Sequence, residues 1–506
     1  FTAPVSPVIN YEYNLDKQKV KDILEVKGNP YEIVYKKDGF GRVYETKQEF
    51  VNYEGEVSEV IQKVFYDENG NQVKTVDPKG NETLYTYSAR DQVAAVTDPA
   101  ENTTTYEYDV EDNTIKMTGP RGNALDNGSL KYTHSDFSIH YTYDGLKRLT
   151  NARLPIVPGE LQPREVSLDY DARGNLLFIT EPDGGQTTYT YTPRNQVGTV
   201  TISGQAADNT IRTYMTQYAY DDVGNEIEVT DPDQNTTRKY YNALNQLIRI
   251  EYPEGNEEYF GYDKLGNQDE ITDGNGNTTN IMYDAYNRAK SSIDAKGHIT
   301  TSCYDRYGNM TLHRDAKGNE YRSEYDEMNR LVREIGPLGN EHRYGYDAVG
   351  NKIYSSNPNG TIGSYEYDSR NMLTRMTLAG TVFDSTGVPV DTVYESVYEY
   401  DEAGDVISIT DTDSRVEYNT DESGVYTPDP YSRVHSQKTI TSERSYTVGY
   451  SYDEMDRITG LVYPDGHEVT YNFNNLGQLE GVPGYIDTPP VYNTRGLLES
   501  ITAVNG

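Results

Sequence analysis

The sequence predicts an all-β chain built from tandem hairpins, and three observations support that fold class. A tyrosine recurs at 21-residue steps along much of the chain, turn-forming residues follow each recurrence, and the residues between turns alternate in polarity. A fixed internal period indicates a repeat architecture, in which each unit mainly contacts its neighbours. An enzyme needs each catalytic residue once, so a residue that recurs in 18 units predicts an architectural role.

The recurring tyrosine is the repeat anchor, and the residue after it is aspartate in 13 units. An aspartate side chain can accept hydrogen bonds from the local backbone and thereby start a turn. The turn that follows each anchor tyrosine is called the anchor turn. Near the C-terminus, Tyr431 is expected to act as one more anchor. The anchors of the main regular stretches include Tyr66, Tyr220, Tyr241, Tyr262, Tyr283, Tyr304, Tyr325, Tyr346 and Tyr367.

Glycine and asparagine dominate the fourth position after the anchor, and His435 fills it in the Tyr431 unit. These residue types tolerate positive φ, so the position predicts the left-handed residue that closes a type I turn with a bulge. Between residues 220 and 371, glycine and asparagine alternate strictly, which allows a true period of 42 residues. The predicted turn-closing residues include Gly70, Gly174, Gly224, Gly266, Asn287, Gly308, Asn329, Gly350, Asn371 and Gly404.

A second turn follows half a unit later, for example in "DPKGN" (77–81) and "DAKGN" (315–319). Proline at the second position, as in the first example, and glycine at the fourth, as in both, are typical of type I turns. Between turns, segments such as "EYRSEY" (320–325) alternate with the period of two that marks a strand with one protected face. Each unit is therefore predicted to run turn, strand, turn, strand.

The composition favours an ordered sheet and excludes several function classes. Phe, Leu, Ile and Val make up about a fifth of the 506 residues and the net charge is −36, close to the composition of disordered chains. The 49 tyrosines fall on strand positions and favour an ordered sheet instead. The excess of acidic residues argues against a nucleic-acid partner, and no apolar run reaches membrane-spanning length.

The sequence predicts no catalytic, cofactor-binding or metal-binding residues. No zinc spacing, nucleophile motif or phosphate-binding loop is present. The "DGNGN" stretch (273–277) begins like a calcium loop but lacks the sixth-position glycine and the twelfth-position glutamate, so a turn is the better interpretation. Cys303 is the only cysteine, which excludes an intrachain disulfide, and it is expected to pack within a strand.

The repeat pattern divides the chain into three regions. Residues 1–65 are predicted to form an N-terminal cap with a degenerate repeat, residues 66–480 the repeat array, and residues 481–506 its C-terminal tail. Extra residues at 123–138 and 379–393 predict longer loops or extended hairpins, either as tolerated insertions or as partner contacts. Side chains can fill the interior of a closed barrel of only about eight strands. A sheet of about 36 strands, spaced ~4.8 Å apart, must therefore surround a space, wind more than once or stay open.

The tandem pattern Y-D-x-x-G-N or N-R, followed by D-P-x-G-N, resembles the YD repeat of RHS proteins over about residues 60–480. That family includes bacterial Rhs and wall-associated polymorphic toxins, Tc toxin B and C components, and teneurins. The resemblance implies a spiral antiparallel β-sheet that forms a hollow shell or part of one, which in toxin members encloses a C-terminal toxin. The family's aspartyl autoprotease motif has no counterpart after Phe473, so no catalytic aspartate can be carried over.

Two functions follow as hypotheses. The first is a non-enzymatic shell segment of a secreted or cell-surface bacterial protein, whose partner is an enclosed cargo or toxin domain or a neighbouring RHS segment. The second is a surface adhesin or carbohydrate-binding protein, in which exposed tyrosines stack on glycans. The near absence of cysteine favours a bacterial member over a teneurin.

Overall fold

The computed structural model describes residues 9–13, 19–26, 29–126, 129–132, 137–156, 163–206, 210–383, 389–421, 423–493 and 495–504. Over these residues the regular secondary structure is β-strand apart from one four-residue helix, and the predicted all-β class is confirmed. The strands pair antiparallel with their neighbours in sequence. Each repeat unit therefore contributes two strands and two hairpin turns.

Strands succeed one another along the described residues, interrupted by the single short helix. From the N-terminus they are β1 (Ile9–Tyr13), β2 (Lys19–Val26), β3 (Asn29–Lys37), β4 (Val43–Val51), β5 (Val57–Tyr66), β6 (Gln72–Val76), β7 (Glu82–Tyr87), β8 (Val93–Thr97), β9 (Thr103–Tyr108), β10 (Thr114–Thr118), α1 (Pro120–Asn123), β11 (Leu125–Asp126), β12 (Ser129–Leu130), β13 (Ser138–Tyr143) and β14 (Leu149–Arg153). The next strands are β15 (Glu165–Tyr170), β16 (Leu176–Thr180), β17 (Gln186–Tyr191), β18 (Val197–Gln205), β19 (Ile211–Tyr220), β20 (Glu226–Thr230), β21 (Thr236–Tyr241), β22 (Leu247–Glu251), β23 (Glu257–Tyr262), β24 (Gln268–Thr272), β25 (Thr278–Tyr283), β26 (Ala289–Ile293), β27 (Ile299–Tyr304), β28 (Met310–Arg314), β29 (Glu320–Tyr325) and β30 (Leu331–Ile335). The remaining strands are β31 (Glu341–Tyr346), β32 (Lys352–Ser356), β33 (Ile362–Tyr367), β34 (Leu373–Phe383), β35 (Pro389–Tyr400), β36 (Val406–Asp411), β37 (Ser414–Tyr418), β38 (Ser436–Thr441), β39 (Ser445–Tyr452), β40 (Ile458–Val462), β41 (Glu468–Thr470), β42 (Asn472–Phe473), β43 (Leu479–Gly481), β44 (Val491–Tyr492) and β45 (Leu498–Ser500).

The chain divides into two compact units, and each unit combines two segments that are far apart in sequence. Unit 1 consists of Phe1–Tyr106 and Ile281–Arg415, and unit 2 of Glu107–Asn280 and Val416–Gly506. The separate division into a cap, an array and a tail at residues 65 and 480 stays a prediction.

The anchors mark the bulges of the sheet. Between β27 and β28 of unit 1, Cys303 pairs with Leu312 but Tyr304 pairs with Met310, so one residue of β28 is skipped. The same shift occurs at other anchors, including Tyr220 and Tyr262 in unit 2. A bulge at this place is expected beside the type I turn that the sequence predicts after each anchor.

The two faces of the sheet differ in chemistry, as strands β20 to β24 of unit 2 show. One face carries charged cross-strand pairs such as Arg238 with Glu251. The other face carries half-buried Ile250, Phe260 and Ile271 together with Lys239 and Glu258, which pair directly with Ile250 from the two flanking strands. A single sheet layer therefore leaves apolar surface incompletely covered on one face.

Buried apolar side chains are sparse, and one of them shows where a core forms in unit 1. Phe50 of β4 is 3% exposed and lies beneath the guanidinium of Arg330, from the other segment of the same unit. The loop after β4 adds Tyr53, whose ring stacks on Tyr354 with 5.0 Å between centroids. Burial is therefore greatest where the two segments of a unit meet.

Where the structure describes the extra residues of the array, those residues form or lengthen hairpins. The predicted insertion at 379–393 lies in the long hairpin of β34 and β35, and residues 384–388 of it lie outside the described residues. The insertion at 123–138 contains the two-residue strands β11 and β12, and residues 127–128 and 133–136 lie outside the description. Over the part of the chain that the structure describes, no helix has the length and apolarity needed to cross a membrane.

Candidate functional site

The anchor turn is the most repeated polar arrangement in the molecule. In the turn after Tyr262, the backbone N–H groups of Leu265 and Asn267 donate to Asp263 Oδ1 at 2.8 and 2.9 Å. The Asn267 side-chain amide donates to the other carboxylate oxygen, Oδ2, at 2.9 Å. The aspartate that starts the turn is thus held through both oxygens, which explains why the sequence places aspartate there so often.

These hydrogen bonds stabilise the ionised form of the aspartate. The Asn267 side-chain amide, together with backbone donors, lowers the pKa of Asp263 below its ordinary value. The same arrangement lowers the pKa of Asp171 and Asp221. Donors aimed at a carboxylate favour its charged state, so the array holds a series of aspartates that resist protonation.

The residues predicted to close the anchor turns have positive φ in the structure. The values are +96° at Gly70, +92° at Gly174, +102° at Gly224, +90° at Gly266, +60° at Asn287, +97° at Gly308, +61° at Asn329, +100° at Gly350, +65° at Asn371 and +94° at Gly404. Most side chains resist this region and asparagine and aspartate tolerate it best, which accounts for the restricted choice. The functional importance of these residues stays a prediction.

The predicted anchor Tyr431 is misplaced by the sequence pattern. Ser432, not His435, has the positive φ, at +60°. Its turn starts at Asp429, whose Oδ1 accepts from the N–H of Tyr431 at 2.7 Å. The prediction that Tyr431 is an anchor and His435 closes its turn is therefore wrong, because the tyrosine lies within the turn and not before it.

Most anchor tyrosines bond back to the preceding repeat, a role that the sequence does not reveal. The Tyr346 hydroxyl donates to the Leu331 carbonyl at 2.9 Å, and the Tyr325 hydroxyl donates to the Met310 carbonyl at 3.2 Å. The acceptor is the first residue of the strand that follows the previous anchor turn, 15 residues earlier. Equivalent hydroxyl bonds are made by Tyr66, Tyr87, Tyr143, Tyr170, Tyr191, Tyr220, Tyr241, Tyr262, Tyr304, Tyr367, Tyr400, Tyr452 and Tyr492.

Arginines after the turn-closing residue reach forward to the next repeat. Arg330 lies over the Tyr346 ring at 4.9 Å and donates to the Asp347 carbonyl at 2.7 Å. Arg288 makes the same two contacts with Tyr304 and with the backbone of the next turn. Adjacent repeats are therefore joined by a hydroxyl that points backward and a guanidinium that points forward.

The fifth residue after the anchor explains the alternation of glycine and asparagine. Between residues 220 and 371, a glycine at the fourth position is always followed by asparagine at the fifth, and the Asn309 amide donates to Oδ1 of Asn329 in the next turn at 2.9 Å. Asn351 donates to Asn371 in the same way. The asparagine class of turn thus supplies an acceptor that glycine cannot.

In the other class of turn the glycine lies beside the fifth residue of the preceding turn without being crowded by it, so its positive φ is what favours glycine there. After an asparagine at the fourth position, the fifth residue is the longer Arg, Gln or Met. At Gly224 an added Cβ would lie 3.5 Å from Gln196 Nε2, and at Gly404 it would lie 3.4 Å from the Met372 methyl group. The sequence signal that could have shown this is the pairing of the fourth and fifth positions.

Contacts between the two segments of unit 2 join anchor turns to second turns. Arg457 of an anchor turn lies 3.4 Å from Oδ2 of Asp183 in a second turn. Arg495 Nε lies 2.6 Å from Oδ2 of Asp233, in another second turn. The Gly496 turn that contains Arg495 belongs to a hairpin of β44 and β45. Its anchor-like Tyr492 lies outside the 21-residue spacing, so the sequence period does not indicate it.

A buried charged cluster lies at the same junction of unit 2. The Asp429 side chain is fully buried and accepts from Arg433 Nη2 at 2.9 Å and from the His435 ring. Burial alone would raise the pKa of Asp429, but the hydrogen bonds from His435 and Arg433 hold it well below its ordinary value. Arg433 also contacts Asp456, which Arg164 of the other segment binds at 2.8 Å.

The remaining sequence candidates show no catalytic arrangement. Asp273 of the "DGNGN" stretch accepts from the N–H groups of Asn275 and Asn277, which is the geometry of an ordinary turn in this chain. Cys303 lies in β27, but its side chain is exposed, so the expectation that it packs is wrong. It lies on the face opposite the half-buried ring of the next residue, Tyr304. Among the described residues, no group of three or more His, Cys, Asp or Glu side chains could hold a metal ion.

A protein-family model described as RHS Repeat matches the chain five times. The chain carries RHS repeats. The matched residues are 66–101, 87–124, 170–207, 220–257 and 304–341. They contain anchor turns and second turns of the kind described above, and the recognition of the YD pattern is confirmed. No curated protein matches the sequence significantly.

Solved structures of Tc toxin components share the fold of these RHS repeats. The Photorhabdus luminescens Tc holotoxin pore matches with a TM-score of 0.71 and 14% identity over 95% of this chain. A TcdB2–TccC3 structure without its hypervariable C-terminal region matches with a TM-score of 0.70 and 14% identity over 98% of this chain. In both cases the chain spans only 29% of the length of the matching protein.

Proposed function

We propose that this chain is a non-enzymatic shell segment that encloses or displays an effector domain of a secreted or cell-surface bacterial RHS protein. The observation that carries the proposal is the two-faced sheet within a fold shared with Tc toxin components. A single layer has one face with charged pairs and another on which half-buried Ile250, Phe260 and Ile271 lie among Lys239 and Glu258. Such a layer is suited to face solvent on one side and a cargo with mixed apolar and charged surface on the other.

The contacts between repeats support a scaffold role. Tyrosine hydroxyls, arginines and asparagine amides fix neighbouring turns to one another, and they recur in both units. A wall must keep its shape while its contents vary, and a series of identical contacts does this without a specialised site. A neighbouring RHS segment would extend the same wall.

The test uses the complete gene product with the domain that follows the repeats. We expect that domain to resist protease while the sheet is intact. Phe260→Asp and Ile271→Asp should weaken its protection, because they place charges on the apolar face. Tyr259→Asp, on the charged face of the same strand as Phe260, is the matched control. Equal protease sensitivity in the parent and in all three variants would contradict enclosure.

Carbohydrate binding is the second candidate, and exposed tyrosines on the strands favour it. Tyr259 is 44% exposed and Tyr321 is 43% exposed, and both lie next to charged side chains that could bond sugar hydroxyls. Glycan-array binding that is lost in Tyr321→Ala would support an adhesin. A glycan array without hits would leave the shell as the single supported proposal.

A further inference from the structure

Two stacked tyrosine rings join the two segments of unit 1. Tyr53 lies in the turn between β4 and β5, in the first segment (1–106), and Tyr354 lies in β32, in the second segment (281–415). Their rings are nearly parallel, with an interplanar angle of 7° and 5.0 Å between centroids. This spacing is typical of the offset stacks that aromatic pairs prefer. Two phenol rings from distant parts of the sequence are thus held face to face.

The backbone on both sides holds this ring pair in place. The Asn52 side chain accepts from the N–H of Glu54 at 3.0 Å, which fixes the turn that carries Tyr53. In the sheet, Gly345 pairs directly with Tyr354, and a Cβ added at Gly345 would come within 2.6 Å of the Tyr53 ring. The space that this glycine leaves is therefore the space in which the Tyr53 ring lies.

Small molecules in solvent have access to the pair. Tyr53 is 45% exposed, Tyr354 is half-buried, and both line a cavity of about 570 Å³, a size that admits small molecules. Burial and the adjacent Glu54 carboxylate raise the pKa of the Tyr53 phenol. The phenol is therefore neutral at neutral pH and must release a proton when it loses an electron. The Glu54 carboxylate lies beside it as a base that can accept this proton.

We propose that Tyr53 and Tyr354 form a site of oxidative modification, at which a small one-electron oxidant joins the two rings as dityrosine. Each phenol gives one electron to the oxidant and its hydroxyl proton to a base. The two phenoxyl radicals form one carbon–carbon bond between ring carbons next to the hydroxyl groups, and the hydrogens of these two carbons move to the oxygens and restore both phenols. In total, two carbon–hydrogen bonds break, one carbon–carbon bond forms, and two electrons and two protons leave. The inference does not depend on the proposed enclosure of an effector.

The existing contact makes this pair the preferred place for coupling. Rings that are already in contact react in an intramolecular step, which is much faster than the meeting of two separate radicals. The product would tie the two segments of unit 1 together covalently. Cys303 is the only cysteine, so no intrachain disulfide can provide such a tie. Like a disulfide, the cross-link would stabilise the fold by restricting the unfolded chain.

Brief photo-oxidation of the full chain with tris(bipyridine)ruthenium(II) and persulfate tests the site. Persulfate takes up the two electrons and becomes sulfate. In the parent, peptide mapping by mass spectrometry should find Tyr53 joined to Tyr354 in protein that keeps the mass of a single chain. Tyr53→Phe and Tyr354→Phe keep both rings but should lose most of the dityrosine fluorescence of the single chain. Tyr321→Phe is the matched control and should keep it, because Tyr321 is 43% exposed in the same unit but packs on the His313 ring.

Three results would overturn the proposal. They are a parent without the joined peptide, dityrosine that forms only between separate chains, and equal fluorescence in Tyr53→Phe and Tyr321→Phe. Circular dichroism matched to the parent establishes that the variants are folded. The thermal midpoint of the oxidised parent should exceed that of oxidised Tyr53→Phe, and equal midpoints would refute the role of the cross-link as a tie.

The role of the base has its own pair of variants. Glu54→Gln should slow formation of the cross-link, because the amide cannot accept the phenol proton. Glu56→Gln is the matched control, since Glu56 is exposed beside the same turn. Equal rates of cross-linking in these two variants would refute Glu54 as the proton acceptor.

Discussion

Removing the hydroxyl of one partly buried anchor tyrosine should lower the local stability of its repeat, and Tyr346→Phe tests this most directly. The Tyr346 hydroxyl bonds the Leu331 carbonyl at 2.9 Å in a partly buried setting, beneath the Arg330 guanidinium. Phenylalanine keeps the ring and its contact with arginine but leaves the carbonyl without this donor. An intramolecular hydrogen bond contributes about 0.5–1.5 kcal/mol, so the local free energy of opening should fall by about 1 kcal/mol.

The measurement is native-state hydrogen exchange followed peptide by peptide, because a repeat array need not unfold in one step. A loss of about 1 kcal/mol corresponds to roughly fivefold faster exchange, confined to the strands β30 and β31. Tyr304→Phe is the matched control, since its hydroxyl bond to Ala289 is 2.8 Å long but exposed, where water can replace it. Exchange that is unchanged in Tyr346→Phe, or accelerated equally in both variants, would refute the assigned role of the anchor hydroxyl.

Four other predictions address the turns and the array. Gly345→Ala should cost about 1–3 kcal/mol, because the new Cβ would lie within 2.6 Å of the Tyr53 ring that packs on it, and urea unfolding of the variant should show the loss. Gly308→Val should cost about 1–3 kcal/mol, because a β-branched residue resists its φ of +97°, and an unchanged thermal midpoint would contradict this. The pKa of turn aspartates such as Asp263 is lower in the folded chain than the unfolded value of 3.8, so their ionised form stabilises the fold at pH above 3.8. That stabilisation is lost as pH falls through the lower folded pKa, and acid titration should therefore unfold the array at the low end of this pH window. Deleting residues 283–324 should be tolerated better than deleting 283–303, because the shorter deletion places two Gly-Asn turns side by side and removes the asparagine acceptor between them; equal soluble yields and midpoints would refute this.

The sequence predicts the repeat and its turns because both depend on local chemistry. A residue at positive φ and an aspartate that accepts neighbouring N–H groups are visible in a few consecutive letters, as in Asp305 to Asn309. Contacts between repeats are less visible. The Tyr346 hydroxyl acceptor is a backbone carbonyl, which any residue supplies, so no side-chain identity marks Leu331 as its partner.

The contacts between distant segments lie further beyond sequence reasoning. Phe50 and Arg330 are 280 positions apart, and nothing in the local pattern indicates that β4 meets the turn after Tyr325. The misplaced unit near Tyr431 has a similar cause. There the spacing to Tyr452 is the expected 21 residues, but Asp429 and its buried partners Arg433 and His435 determine which residues turn.

The backward reach of the anchor hydroxyl has a consequence for how the protein is made. A tyrosine that emerges from the ribosome finds its carbonyl acceptor in chain that has already been synthesised, 15 residues earlier, as for Tyr367 and Lys352. Each new hairpin can therefore dock on the one before it without waiting for later sequence. Growth of the sheet can keep pace with translation, so that little unpaired strand edge is exposed at any moment to neighbouring chains.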